Sequence, residues 1–307
     1  MGAVIDFAIV GEPKSGTTAL AEFLSGHPEI CMSVPKEPAY FATDLMEESD
    51  RFHGAPTWFE FRTEADYAAV FAGCREGQLR GDGSTAYLHS REAAANIHRT
   101  NPDTRIVAML REPVSYMHAL HAQFVNETTE DEPDFARALA KESARREGRE
   151  IPARVRCPSF LHYRERARYG PQLERYLAVF PRDQVLVLVF EEFRADNAGG
   201  YRQVLEFLGV DPAHEPDFRE VHARKAPRSA RVNRALNSPR LKRAVFRVLG
   251  PSRYDRVSKR VAGAVMRPAG GSAVPPELEQ DLREELRPDV VRTSELVGRD
   301  LAAIWGY

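Results

Sequence analysis

The residues with the clearest chemical potential stand near the start of the chain, in Gly11-Glu12-Pro13-Lys14-Ser15-Gly16-Thr17-Thr18. They lie between an apolar run, Val4 to Val10, and a helical pattern from Gly16 to Ser25. A strand, a turn and a helix in that order gather backbone N–H groups and a helix N-terminus into an anion site. Lys14 adds a point charge there, and Ser15, Thr17 and Thr18 set hydroxyls around Gly16. A nucleoside-triphosphatase loop carries lysine directly after its second glycine. Here Thr17 holds that place, and the lysine stands two residues before Gly16. The other apolar runs do not end in a magnesium-binding aspartate either: Met109-Leu110 runs into Arg111, and Val189-Phe190 into Glu191.

Two further sites carry chemistry. In Lys36-Glu37 a cation adjoins a carboxylate and holds it ionised near neutral pH; an exposed charged pair in a loop is the other reading. His118 and His121, one turn along the helix that follows Arg111, are rival bases with the right intrinsic basicity. Arg111 closes the apolar run Arg105 to Leu110, two residues before Pro113, a favoured first-turn residue. That puts its guanidinium at the carboxyl edge of a strand, where open α/β sheets bind ligands, with a fork that matches phosphate. Only six of the 43 basic residues are lysine, and Lys14 and Lys36 are two of them. Chance, or a need for a compact ammonium at both positions, accounts for this.

The elements that must position these groups follow from periodicity. Val4 to Val10, Arg105 to Leu110 and Gln184 to Phe190 read as strands buried on both faces. Helical patterns cover Gly16 to Ser25, Thr63 to Phe71, Ser90 to Thr100, Val114 to Glu127 and Tyr169 to Phe180, and Glu277 to Trp305 closes the chain as a helical pair. The alternation predicts an α/β fold: a P-loop-like parallel β-sheet flanked by helices on both faces, in one domain over residues 1–307. Glu130 to Pro158 is heavily charged, and a lid or a solvated surface helix both suit it; the wider segment 127–165 is the candidate lid or substrate-specificity element. Pro268 to Pro276 reads as a loop.

Composition narrows the partners. The 307 residues carry a net charge of −2, so no overall field draws the protein to nucleic acid or to an anionic membrane. Cys31, Cys74 and Cys157 show no metal-binding spacing and read as ordinary thiols of a reducing compartment. The chain opens on a strand with no basic and apolar leader, which predicts a cytoplasmic protein without a membrane anchor. Oligomeric state is not legible.

The first loop resembles the 5′-phosphosulfate loop of sulfotransferases that use 3′-phosphoadenosine 5′-phosphosulfate (PAPS). Ser33 to Phe41 resembles the segment after the second strand in the carbohydrate-type members, Gly81 to Leu88 their next loop, and Leu110-Arg111-Glu112-Pro113-Val114 their 3′-phosphate junction. The resemblance implies sulfuryl transfer from PAPS to an acceptor hydroxyl with no metal requirement. It implies Glu37 as base, Lys14 and Lys36 as catalytic cations, and Lys14, Ser15, Gly16, Thr17, Thr18 and Arg111 as donor ligands. The family's serine eight residues after the arginine is Ala119 here, which leaves Ser115 as the stand-in. A late basic stretch, His222 to Ser229, resembles the loop that covers the nucleotide and nominates Arg224 and Lys225, within about residues 222–232. Tyr87, His89, His118, His121 and Tyr169 are the expected lining for the acceptor, a small molecule, lipid or glycan. Two other readings stand beside this one: a kinase or other nucleotide-dependent phosphotransferase, and a non-catalytic nucleotide-binding module.

Overall fold

The computed structural model describes residues 4–216, 225–227, 266–268 and 274–307. Five short strands, β1 (Phe7–Gly11), β2 (Ile30–Met32), β3 (Leu79–Asp82), β4 (Arg105–Leu110) and β5 (Val185–Val189), form one sheet in the order β2-β3-β1-β4-β5. Every pairing in it is parallel. Phe7 lies opposite both Gly81 and Arg105, which fixes β1 at the centre. The register needs glycine at position 81: a Cβ there would fall 2.2 Å from the Phe7 ring and 2.7 Å from the Met32 sulfur.

The helices of the first half are α1 (Thr17–Ser25), α2 (Thr43–His53), α3 (Glu64–Ala69), α4 (Ala93–Thr100) and α5 (Pro113–Glu127). Then come α6 (Phe135–Ala140), α7 (Glu142–Arg146), α8 (Tyr163–Arg166), α9 (Tyr169–Leu177), α10 (Phe190–Ala195) and α11 (Asn197–Leu208). The chain closes with α12 (Pro276–Val297) and α13 (Leu301–Trp305). Side chains alternate across the sheet as strand geometry requires. Phe7, Ile9, Val107 and Met109 face one way, against Leu20 and Leu24 of α1 and Val204 and Leu208 of α11. Ala8, Val10, Ile106 and Leu110 face the other way, into a larger core with Ile97, Leu120, Tyr176 and Leu286. Helices therefore cover both faces, as the strand–helix alternation predicts.

Local chemistry sets the helix starts. Thr63 and Asp66 form a reciprocal capping box at α3. At α5, Pro113 opens the first turn while the Glu112 carboxylate accepts from the amides of Val114 and Ser115 at 3.1 and 2.7 Å.

Three expectations need correction. Cys31 and Cys74 are joined in a disulfide, so only Cys157, buried, is a free thiol. No metal-type spacing flagged this pair, because the bond links an edge strand to the turn before β3. The charged segment after α5 is a solvated surface helix only in part: α6 and α7 keep most of their charges exposed, but Glu130, Glu142 and Arg145 are buried. Glu130 and Arg145, both fully buried, make a two-pronged ion pair with both bonds at 2.7 Å, and the Tyr163 hydroxyl donates to the same carboxylate at 2.8 Å. The late basic stretch contains a strand, β6 (Lys225–Pro227), paired antiparallel with β7 (Met266–Pro268). Arg224, most of 222–232 and residues 269–273 of the expected loop lie outside the described residues.

Candidate active site

The parallel order sends the loops after β1, β2, β3 and β4 out of the same edge of the sheet, and the motifs are on those four loops. Sheets of this topology bind ligands in that crevice. After β1, Lys14 (φ +65°) and Gly16 (φ +88°) both take left-handed conformations, which curl the loop into a concave cradle of amides. A side chain at position 16 would be strained there. The N-terminus of α1 has no capping side chain. The Ser15 hydroxyl is buried and has no hydrogen-bond partner among the described residues. A buried hydroxyl in that state inside an amide cradle fits a bound anion. Arg111 braces the cradle from β4: its Nη1 donates to the Lys14 carbonyl at 3.0 Å, and its guanidinium lies 4.9 Å from the Phe190 ring.

The loop after β2 delivers Lys36 and Glu37. Lys36 Nζ donates to Thr18 Oγ1 at 3.2 Å and to Glu37 Oε1 at 2.9 Å. One ammonium therefore bridges the anion cradle and the candidate base. Glu37 is 39% exposed and sits in a left-handed conformation, φ +63°. Partial burial raises its carboxyl pKa, but Lys36, Arg156 and the Thr85 hydroxyl outweigh that and hold it below the ordinary range. The loop is pinned from β3. The Ala39 amide donates to Ser84 Oγ at 2.9 Å, and Ser84 donates to Asp82 at 2.6 Å. Asp82, fully buried, also accepts from Tyr67 at 2.8 Å and Tyr87 at 2.7 Å.

A cavity of about 150 Å³ opens beside these groups, bounded by Pro13, Glu37, Thr85, Trp58, Phe124 and Arg156 among others. Arg166 also reaches its wall. Arg166 donates to the Tyr116 hydroxyl at 3.2 Å and pairs directly with Glu12 at 3.6 Å, while Tyr116 donates to Glu12, a fully buried triad behind the cradle. Desolvation raises the Glu12 pKa despite the Arg166 charge.

The expected acceptor lining is largely elsewhere. Tyr87 and Tyr169 are fully buried; Tyr87 serves Asp82, and the Tyr169 hydroxyl donates to the Arg111 carbonyl at 2.9 Å. His121 is buried with Nε2 at 2.8 Å from the Glu132 carbonyl, and His118 packs against Phe135, so both face the α6 side of α5. His89 lies behind the cavity wall against Phe160, its pKa pushed well down by burial and by Arg166 and Arg175. Ser115 is exposed on the first turn of α5, while Ala119 is buried. The side chains of Lys225 and Arg224 lie outside the described residues. Sequence reasoning missed Trp58, Arg156, Arg166 and Asp82. Asp82 had a signal, since it stands second in the Gly81 to Leu88 segment; the others come from charged or aromatic stretches without periodicity.

Residues 6–215 match a family model described as the sulfotransferase family, and that span holds the cradle, Lys36, Glu37 and Arg111. The chain belongs to this family. A sulfotransferase from Alicyclobacillus acidocaldarius, known as a crystal structure, superposes with a TM-score of 0.71 at 27% identity, covering 99% of this chain and 100% of that one. Among curated relatives, the human heparan sulfate glucosamine 3-O-sulfotransferase 6 is 30% identical over 202 residues, 66% of this chain and 51% of that protein. The mouse heparan sulfate glucosamine 3-O-sulfotransferase 3A1 is 29% identical over 219 residues, 66% of this chain and 45% of that protein. The sulfotransferase chain described here thus spans about half the length of the curated relatives it matches.

Proposed function

We propose that this protein moves the sulfuryl group of PAPS onto a hydroxyl of a small-molecule or glycan acceptor, by in-line transfer with Glu37 as general base. The observation that carries this reading is the Lys36 bridge between Thr18 in the cradle and Glu37 beside the cavity. It joins a donor-side anion site to a base at the spacing of one side chain.

The bond between sulfur and the donor's 5′-phosphate oxygen breaks as the bond to the acceptor oxygen forms. The acceptor's proton passes to Glu37, and adenosine 3′,5′-bisphosphate leaves. Negative charge grows on the leaving phosphate, where Lys14, the cradle amides and the α1 N-terminus are aimed. Positioning and charge stabilisation supply the rate, as in phosphoryl transfer, and we propose that no metal is required. Arg111 and Ser115 are assigned to the 3′-phosphate. The 127–165 segment contributes Thr129, Val155, Arg156 and Phe160 to the cavity, which supports a role in acceptor choice. No helix among the described residues is long and apolar enough to cross a membrane. The Cys31–Cys74 bond weighs against the expected cytoplasmic location, since reducing compartments keep such pairs open.

Donor identity is tested by thermal denaturation. Adenosine 3′,5′-bisphosphate without added metal should raise the melting temperature, as a ligand selective for the native state does. Stabilisation by ATP with Mg²⁺ and none by the bisphosphate would point to phosphotransfer instead.

A further inference from the structure

Strand β4 ends at Leu110, so the peptide group that joins Arg111 to Glu112 lies beyond the sheet ladder. Side chains hold both of its polar atoms instead. The carbonyl accepts from the Tyr169 hydroxyl at 2.9 Å, and the N–H donates to Glu191 Oε1 at 3.2 Å. Both holders meet at one residue of α13. Trp305, 5% exposed, packs edge-on against the Tyr169 ring with centroids 6.1 Å apart. Its indole N–H donates to the other oxygen of Glu191 at 3.0 Å. One rigid bicyclic side chain therefore touches both groups that fix the peptide after Arg111. Phe190, which precedes Glu191 in α10, lies 4.9 Å from the Arg111 guanidinium, so Glu191 is also tied to the surface on which that guanidinium rests.

Trp305 is itself anchored. Its carbonyl and that of Gly306 accept from Arg283 of α12 at 2.9 and 3.2 Å. The Tyr307 hydroxyl donates at 2.9 Å to Glu112, the carboxylate that caps α5. The junction after β4 is thus gripped from α12 and α13, elements far along the chain. A guanidinium fork recognises phosphate by its geometry, and a displacement on the order of 1 Å in such a group can cost about a hundredfold. We propose that Trp305 is a positioning residue for donor recognition: through Tyr169 and Glu191 it holds the Arg111–Glu112 peptide where Arg111 meets the 3′-phosphate. The proposal rests on the assignment of Arg111 to that phosphate. It makes the preference for a donor with a 3′-phosphate depend on a side chain that acts only through others.

Calorimetric titration with adenosine 3′,5′-bisphosphate and with AMP reads that preference as a ratio of affinities. Trp305→Phe keeps a ring against Tyr169 and removes the indole donor. Its ratio should fall roughly fivefold to tenfold below that of the wild type, part of the worth of a hydrogen bond to a charged group, with AMP affinity held within about twofold. Adding Trp305→Phe to Glu191→Ala should change the ratio no further, because the first substitution acts through the second residue. A wild-type ratio in Trp305→Phe, equal losses for both ligands, or a further full drop in the double variant overturns the proposal. Tyr169→Phe removes only the hydroxyl on the carbonyl side of the same peptide and serves if Trp305→Phe does not fold. An unchanged ratio there overturns the proposal as well. Arg111→Ala is the control. A wild type with no preference for the bisphosphate, or an Arg111→Ala protein that keeps it, would strike the assignment of Arg111 and this proposal together. A preference lost in Arg111→Ala but intact in Trp305→Phe strikes this proposal alone.

Discussion

Lys36 holds two chemical partners with one ammonium, Thr18 on the cradle and Glu37 beside the cavity. Arg111 works differently: in the structure it reaches the cradle itself through the Lys14 carbonyl. We assign its fork, whose geometry suits a phosphate, to the 3′-phosphate. Arg111→Ala should weaken adenosine 3′,5′-bisphosphate binding by roughly 2–5 kcal/mol, the range for truncating one side of a desolvated charge pair. AMP, without the 3′-phosphate, should lose far less. Calorimetric titration of both ligands against both proteins gives the difference. Equal losses would reduce Arg111 to a brace of the 5′ loop. At this scale the sequence was informative where residue type and spacing coincide, at Lys14, Lys36, Glu37 and Arg111. It misled at Tyr87, Tyr169 and His121, because a polar aromatic beside a motif reads the same whether it lines a cleft or closes a buried hydrogen bond.

Between the elements, the cavity wall depends on the segment after α5, and that segment depends on Glu130 and Arg145. A buried pair broken on one side leaves an uncompensated charge, at about 3–5 kcal/mol. Arg145→Ala should destabilise the protein by that order in urea unfolding. The neutral pair Glu130→Gln with Arg145→Met should recover most of the loss, whereas two independent, additive losses would contradict the coupling. Burial raises the Glu130 pKa, but its bonds to Arg145 and the Glu132 amide leave it lowered overall. The pair's contribution is therefore full at neutral pH and fades as pH falls through that lowered value. Strands β1, β4 and β5 and helices α1, α3, α4, α5 and α9 were legible from periodicity. The three- and four-residue strands β2 and β3 were not, since so short a run carries no period of its own. The 130–158 stretch was legible only in part: most of its charges are exposed, as on a solvated helix, while Glu130, Glu142 and Arg145 turn inward.

For the whole molecule, the parallel order collects four loops at one edge, and that was readable once three strands had been found. The disulfide was not: bonding across an edge strand is a tertiary fact that spacing does not encode. It closes a stretch of 43 residues that carries Lys36, Glu37, α2 and α3 but not the cradle. Cys31→Ser should lower unfolding free energy by about 2–4 kcal/mol, as should reduction of the wild-type protein, while bisphosphate binding stays intact. Unfolding curves that coincide with and without reductant would show that the bond has no part in stability. The central claim, sulfuryl transfer with Glu37 as base, is met most directly by one assay. PAPS labelled with ³⁵S is offered with pooled hydroxylated ring compounds to wild-type and Glu37→Gln proteins that bind the bisphosphate equally. The wild type should label an acceptor and release adenosine 3′,5′-bisphosphate one for one, and Glu37→Gln should be slower by roughly 10²–10⁴. Equal labelling by the two proteins, or bisphosphate release with no labelled acceptor, would contradict it.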